Sequence, residues 1–389
     1  MVDVTVPLVR AAVIGAGFVG PHHVDAIRRT GYAEVVALAG TDRDRAAAKA
    51  ASLGVPRSTA DAGDLLDDPD IDVVHICTPN TTHVAMASSA MRAGKHVVIE
   101  KPIATDTAGA EQLVAIGRET GRHALVAFTY RGYPMVQRAR DLVATGDIGA
   151  LRLVHGAYLQ DWLADPTDWN WRIDPVAGGA SRAVADIGTH WFDTVEHVTG
   201  ERIDAVLADL ATFMPVRHRP RAAGSEAFAM AAGETDSITI TSEDAATILV
   251  RFAGGGRGSC MISQVSPGNK NAFSFEIAGE RQSLAWQQER PERLVLRSRD
   301  ASTTLARSPE ARSGPGIPPL PAGHPEGWSD ALRDLFRPFY AAIAAGVEAS
   351  EVHEMKVVPY PTLDAGARAL RFVDAVLRSS REERWTRLG

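Results

Sequence analysis

The chain has 389 residues, 45% hydrophobic and 23% charged, with a formal net charge of -7 and a pI near 6.0. That length suffices for two domains with sizeable cores, and the acidic balance excludes a general electrostatic attraction to nucleic acid or an anionic membrane. No apolar run approaches the roughly 18 residues of a membrane span, and the N-terminus lacks a basic region followed by a long apolar run, so a cytoplasmic protein is expected.

In chain order, the first part alternates short apolar runs with helical patterns, which predicts βαβ units around a parallel sheet. "VRAAVIG" (9–15) reads as a buried strand, "GPHHVDAIRRT" as a helix, "AEVVALAG" (33–40) as a second strand and "RDRAAAKAASLG" as a second helix. "IDVVHICTP" (71–79) is a third strand, "THVAMASSAMRAGK" a helix ending at Gly94, and "HVVIEKP" (96–102) a fourth strand. After "GAEQLVAIGRETG" and "HALVAF" the pattern changes. From Leu151 onward strand-like runs follow one another with few helices, among them "LRLVHGAYLQ", "AATILVRFAG", "RGSCMISQV" and "AFSFEIAG", which predicts a largely antiparallel sheet in a second domain. The polar spans 214–235 and 299–327 read as long loops, and the basic "VRHRPRAAG" (216–224) as a solvated one. Cys77 and Cys260 lie far apart inside strand-like runs, which predicts buried free thiols and neither a disulfide framework nor a CxxC metal site. No metal is expected.

"VIGAGFVG" places Gly15, Gly17 and Gly20 at GxGxxG spacing after a strand and before a helix, with Phe18 and Val19 inside the turn. Gly15 permits the tight turn, Gly17 lets the backbone approach a pyrophosphate, and Gly20 allows close helix–strand packing, while the helix N-terminus faces the anion. An acid ending the second strand would bind the adenosine ribose, but that place is held by Gly40, followed by Thr41, Asp42 and Arg43. Asp42 suits a ribose hydroxyl, whereas Thr41 and Arg43 suit a 2′-phosphate, so the cofactor is NAD or NADP, with the Asp42 charge favouring NAD.

Further on, "YLQDWLADPTDWNWRIDPVAGG" (158–179) carries Trp162, Trp169 and Trp171. Aromatic faces pack on the C–H faces of a sugar ring, and Gln160, Asp161, Asp168 and Arg172 offer the directional hydrogen bonds that a polyol needs. The alternative use of these tryptophans is to anchor a loop or an oligomer interface. In "AVADIGTHWFD" (183–193), a continuous α-helix would bring Asp186, His190 and Asp193 to one face. Asp193 reads as a structural acid or a substrate-rim residue. His324 and Glu326 suit either closure over a site or a helix entry.

Three segments, "AAVIGAGFVGPHHVDAIRR", "IDVVHICTPNTTHVAMASSAMRAGKHVVIEKPIATD" and "GGASRAVADIGTHWFD", together resemble the Gfo/Idh/MocA family of NAD(P)-dependent oxidoreductases, which act mostly on sugars and cyclitols. The resemblance implies an α/β protein: a Rossmann domain with a doubly wound parallel sheet at 1–130, and at 131–389 an α+β domain with a large open, mainly antiparallel sheet for substrate binding and oligomerisation. It implies an active site between the domains and a homodimer or homotetramer. Lys101 of the EKP element (with Glu100) and Asp186 and His190 of the DxGxH element take the family's catalytic positions. Thr78, Pro79, Asn80 and His83 resemble its cofactor-side turn, His83 alternatively capping the following helix, while Gly40 departs from the commoner Asp. On this reading His190 is the general acid/base, Lys101 stabilises an alkoxide, Asp186 orients His190 or grips a hydroxyl, and Gln160, Trp162, Trp171, Arg172, Asp186 and His190 meet a carbohydrate-like substrate. Two alternatives use the same features: elimination or glycoside cleavage through transient ring oxidation, and a cofactor-binding sensor without turnover.

Overall fold

The computed structural model describes residues 8–174, 178–221, 234–307, 320–321, 323–355 and 358–389. The chain divides into two compact units. The first takes the chain as far as Gly132 together with Gly327–Ala367; the second runs from Tyr133 and includes Leu320–Glu326 and Arg368–Gly389.

In the first unit six strands, β1 (Val9–Ile14), β2 (Ala33–Ala39), β3 (Arg57–Thr59), β4 (Val73–Ile76), β5 (His96–Ile99) and β6 (Ala124–Val126), form a parallel sheet in the order β3-β2-β1-β4-β5-β6. The reversal between β1 and β4 is the Rossmann switch point, and ligands of such sheets bind beyond the carboxyl ends of the strands there. Helices α1 (Gly20–Arg29), α2 (Arg43–Ser52), α3 (Gly63–Leu66), α4 (His83–Arg92) and α5 (Thr107–Thr120) connect the strands. Strands buried along their whole length, such as β4 and β6, are what a sheet covered on both faces demands. Late in the chain, α8 (Trp328–Ala344) and α9 (Ala349–Glu354) return to this unit, and Phe336, Phe339 and Tyr340 of α8 pack with Val13, Val35 and Val73 of the sheet.

A run of hydrogen bonds ties that packing to the carboxyl end of β5. Tyr340 Oη lies 2.7 Å from His75 Nε2, His75 Nδ1 lies 2.9 Å from His23 Nδ1, and His23 Nε2 lies 3.0 Å from Glu100 Oε1. Only one proton fits between the facing Nδ1 atoms. With a carboxylate accepting at one end, the polarity runs from the tyrosine hydroxyl through both rings to Glu100.

The second unit is built on a mixed sheet. Its strands are β7 (Leu151–Leu159), β8 (Ile203–Ala211), β11 (Ala245–Phe252), β12 (Arg257–Ser263), β13 (Ala272–Gly279), β14 (Ser283–Gln287), β15 (Arg293–Arg297), β16 (Ser302–Ala306) and β17 (Thr386–Arg387), in the order β16-β15-β14-β13-β7-β12-β11-β8-β17. All neighbours are antiparallel except β7 and β12, which are parallel. One face is packed: Phe273, Phe275 and Ile277 of β13 alternate inward, and α6 (Pro134–Ala144) and α7 (Thr189–Thr199) lie against the sheet, while α10 (Leu363–Glu382) stacks Phe372 on Phe192 of α7. The other face keeps Leu153, Leu249 and Met261 exposed. A separate hairpin pairs β9 (Val216–Pro220) with β10 (Thr235–Thr239).

The spans 214–235 and 299–327 are therefore not loops throughout, since β9 and β16 lie within them. Neither strand has the alternating apolar pattern that betrays a buried face, and ladder hydrogen bonds alone define them. Within "VRHRPRAAG" the solvated-loop reading fails at Arg217, which is fully buried. Residues 222–233 and 308–319 of those spans lie outside the described residues. Cys77 and Cys260 are free and buried.

Burial lowers the pKa of five described histidines in the first unit below the ordinary 6.5: His75 well below, His96 to about 3, and His22, His83 and His123 in the same direction. In the unfolded chain these rings protonate near 6.5, whereas the folded unit resists, so stability present above that pH is lost as pH falls below it. Each ring contributes at most about 1.4 kcal/mol per pH unit. Urea denaturation at pH 7.5 and 5.5 should show a clearly weaker fold at the lower pH, and His96→Gln should make the dependence shallower; a flat profile would contradict the burial.

Candidate active site

In the first unit the chain leaves β1 through Gly15, whose φ of +109° favours glycine and whose added Cβ would stand 2.4 Å from the Cys77 carbonyl oxygen. A Cβ on Gly20 would stand 2.0 Å from the Gly15 carbonyl oxygen, so α1 begins in contact with the turn. At Gly17 an added Cβ meets nothing within 4 Å. The three glycines thus divide as the motif requires: two have no room for a side chain, and the middle one faces open space. Val19, the N-cap of α1, supplies no side-chain hydrogen bond, so the first-turn N–H groups are not capped by it. This is the setting in which a helix N-terminus receives a phosphate, and a dinucleotide pyrophosphate fits it. Phe18 in the turn is 60% exposed, its ring edge-on to His22.

Gly40 follows β2, its N–H bonded to Thr59 O at 3.1 Å. Thr41 and Arg43 are exposed. Asp42 caps α2, its Oδ1 accepting the Arg45 N–H at 2.8 Å, so one of its two oxygens is committed to the helix.

Beyond β4, Thr78 is followed by Pro79 and a short turn, Asn80–Thr82, in which the Thr78 and Thr82 hydroxyls are 2.6 Å apart. His83 is fully buried, with Nδ1 2.8 Å from Pro102 O and Nε2 2.9 Å from Thr78 O. It joins the turn after β4 to the segment after β5, and both ring nitrogens face carbonyls rather than solvent. Burial lowers its pKa and the two carbonyls oppose that shift; a neutral ring donates to only one of them. Lys101 lies two residues past the end of β5, its N–H 3.2 Å from Glu100 Oε2, and the Lys101–Pro102 peptide is cis.

In the second unit Asp186 is clasped from two sides: Arg172 Nε lies 3.3 Å from Oδ1, and Gln264 Nε2 donates to Oδ2 at 2.8 Å. The Arg172 guanidinium in turn lies 4.5 Å from the Trp171 ring centroid, a stacking arrangement that suits a delocalised cation. The backbone from Val184 to Gly188 forms a π-turn before α7 begins at Thr189. The single continuous α-helix face expected for Asp186, His190 and Asp193 is therefore replaced by two helical registers, because the wider turn rotates Asp186 relative to α7. His190 is 9% exposed, its ring 6.3 Å from that of Tyr158, and Asp193 is buried.

Gln160 is held on both sides: its Nε2 donates to Asn271 Oδ1 at 2.9 Å, and its Oε1 accepts the Trp162 indole N–H at 2.8 Å. Trp162 packs on a small core of Leu163, Trp169, Ile173 and Ile240. Trp169 thus anchors its loop, while Trp162 and Trp171 remain partly exposed. Asp161 pairs with Lys270 at 2.7 Å, and Asp168 accepts the Asp165 N–H. Glu326 belongs to a local cluster with Arg307 and Glu292. Gln264 and Asn271 carry no signal in the sequence, Gln264 being one polar residue that follows the mixed strand β12.

Among the described residues no group of His, Cys, Asp or Glu side chains is arranged to hold a metal ion, and no helix is long and apolar enough to cross a membrane.

A Rossmann sheet with a glycine turn, joined in one chain to an α+β unit carrying a polar, aromatic-lined cluster, defines a dinucleotide-dependent oxidoreductase. Residues 9–128 match the model of the oxidoreductase family with the NAD-binding Rossmann fold, and residues 136–285 match the GFO/IDH/MocA C-terminal domain. The chain belongs to the Gfo/Idh/MocA family. It is 31% identical over 358 residues to levoglucosan dehydrogenase of Pseudarthrobacter phenanthrenivorans, covering 90% of this chain and 88% of the relative. It is 27% identical to inositol 2-dehydrogenase of Rhizobium meliloti, covering 97% and 98%. A solved structure of levoglucosan dehydrogenase in complex with NADH and levoglucosan superposes with a TM-score of 0.86 at 29% identity, over 98% of this chain and 100% of that one.

Gln264→Leu keeps the volume near Asp186 but withdraws a buried donor from its carboxylate. A stability loss of about 1–3 kcal/mol is expected, read as a shift in the denaturation midpoint. An unchanged midpoint would mean that Gln264 only fills space.

Proposed function

We propose that the chain oxidises a ring secondary alcohol of a sugar, cyclitol or glycoside, with His190 as general base in oxidation and general acid in reduction, Lys101 stabilising the developing alkoxide, and Asp186 orienting or gripping a hydroxyl. The observation that carries this reading is Asp186 clasped between Arg172 and Gln264 beside the Trp171 face: a fixed acceptor, a cation and an aromatic surface are what a polyol ring calls for. The levoglucosan and inositol dehydrogenases among the relatives support the same substrate class.

When bound at the glycine turn, the dinucleotide supplies the hydride acceptor. Gly15, Gly17 and Gly20 would hold its pyrophosphate, with Phe18 and Val19 in the same turn, and Gly40, Thr41, Asp42 and Arg43 would meet the adenosine ribose. Thr78, Pro79, Asn80, Glu100 and Lys101 would line the nicotinamide side, with His83 holding their two segments together. An imidazole, whose unperturbed pKa lies near 6.5, is suited to take the alcohol proton at neutral pH. The Lys101 ammonium would act where negative charge grows on oxygen. The second unit is the substrate-binding and oligomerisation unit in this reading, Gln160 and Trp162 forming part of its lining. Leu153, Leu249 and Met261, exposed on one face of β7, β11 and β12, support assembly into a homodimer or homotetramer through that face.

An absorbance assay at the nicotinamide band with NAD and NADP, against levoglucosan, myo-inositol and a panel of monosaccharides and glycosides, tests the reaction class. Net NADH formation is expected; consumption of a glycoside without it would replace dehydrogenation by elimination or cleavage. In that assay His190→Ala should lose about two to four orders of magnitude in hydride transfer while keeping dinucleotide affinity. A parent-like rate would remove His190 from the chemistry.

Because nothing packs at Gly17, Gly17→Val should unfold with the parent to within about 0.5 kcal/mol, yet lose binding of NADH followed by its fluorescence. Full NADH affinity in that variant would move the pyrophosphate elsewhere.

A further inference from the structure

Two consecutive residues before β11, Glu243 and Asp244, are 3% and 0% exposed and touch three segments that are remote in sequence. Glu243 Oε1 accepts the Ser181 hydroxyl at 2.7 Å, the Arg182 N–H at 3.0 Å and the Val184 N–H at 2.9 Å, at the start of the turn that carries Asp186. Asp244 Oδ1 accepts from Arg182 and, at 2.9 Å, from Arg217. Arg217 donates onward to Leu163 O at 2.9 Å and Asp165 O at 3.1 Å, in the loop between Trp162 and Trp169. The Asp244 carbonyl accepts the Gln264 N–H at 3.1 Å, and the Gln264 carbonyl accepts the Leu163 N–H at 3.2 Å, while its side chain holds Asp186.

We propose that Glu243 and Asp244 are positioning residues that lock the tryptophan loop, Gln264 and the Asp186 turn into one register. The proposal rests on the assignment of Asp186 to the reaction. Both arginine side chains share the Asp244 carboxylate, while Glu243 meets a hydroxyl and two backbone N–H groups. A buried ionic cluster is a poor source of stability compared with apolar packing of the same volume. Its distinguishing property is direction: apolar packing would hold the three segments together without fixing where the Val184 N–H and the Leu163 carbonyl lie. Burial pushes the Glu243 carboxyl up against its three donors, whereas at Asp244 the hydrogen bonds and charges of the arginines overcome burial and hold the carboxyl below its ordinary value.

Hydrogen exchange measured by mass spectrometry on the full-length enzyme with NADH, together with steady-state kinetics on levoglucosan and myo-inositol, tests it. Glu243→Ala should raise exchange at 181–190 by about tenfold or more, and lower kcat about tenfold to a hundredfold with the KM for NAD unchanged. Glu243→Gln, which keeps an acceptor oxygen, should restore most of both. Arg217→Lys, which cannot reach both carbonyls and Asp244 with one fork, should open 161–168 while leaving the fold intact. Exchange rising evenly across the second unit would overturn the proposal, as would opening of 181–190 without loss of kcat. If the parent turns over no carbohydrate, the functional reading fails on its own, and the exchange pattern still decides whether the two residues lock the segments.

Discussion

A polar group buried in a protein must find its partner inside, and in both units that requirement determines where the backbone beside the proposed site runs. In the first unit His83 spans two carbonyls that follow different strands, so the turn after β4 and the Lys101–Pro102 segment are tied through one ring. The Tyr340–His75–His23–Glu100 run does the same from the opposite side, linking the core helix α8 to the residue preceding Lys101. In the second unit Glu243 and Asp244 take the corresponding part. Breaking one member of such a network leaves a buried donor or acceptor unmatched, which costs more than the bond itself contributes.

Much of the first unit was legible because its physics is local. A buried parallel strand reads as a continuous apolar run, a glycine at positive φ or in contact with a carbonyl is spelled by its residue type, and Gly15, Gly17 and Gly20 each sit where the motif needs them. The return of α8 to the same unit was not legible: an amphipathic helix announces that it has an apolar face, not which sheet covers it. The segments β9 and β16 were hidden for the opposite reason, since edge strands with polar side chains carry no periodic signal.

At the candidate site the reactive types were visible and their supports were not. Asp186, His190 and Arg172 stand out as chemistry-bearing residues, and the structure does bring Arg172 to Asp186. The π-turn is invisible to a reading that counts in fours, because one extra residue in a turn rotates what precedes it by about 100°. Gln264, Glu243 and Asp244 are polar residues at strand ends, a description that fits dozens of solvent-facing positions. Only tertiary contact distinguishes them, and Arg217 shows the hazard: three basic residues close together in "VRHRP" suggest solvation, yet the first is buried against Asp244.

The cofactor side invites an argument from magnitudes. A carboxylate at the end of β2 would face the ribose directly, but Gly40 holds that place and the nearest acid, Asp42, has one oxygen on the Arg45 N–H. On the proposed placement of the ribose its remaining oxygen would put negative charge near a 2′-phosphate, while Arg43 beside it is exposed. Two unit charges about 4 Å apart in water interact by about 1 kcal/mol, and salt reduces this further. Opposing effects of that size nearly cancel, so charge alone supports only a weak preference. A strong one would require the ribose hydroxyls to be gripped by hydrogen bonds whose loss leaves a buried group unpaired. Neither Asp42 at a helix cap nor Arg43 in solvent is such a group, so on the proposed placement a charge-based lean toward NAD would rest on the one carboxylate oxygen that the cap leaves over.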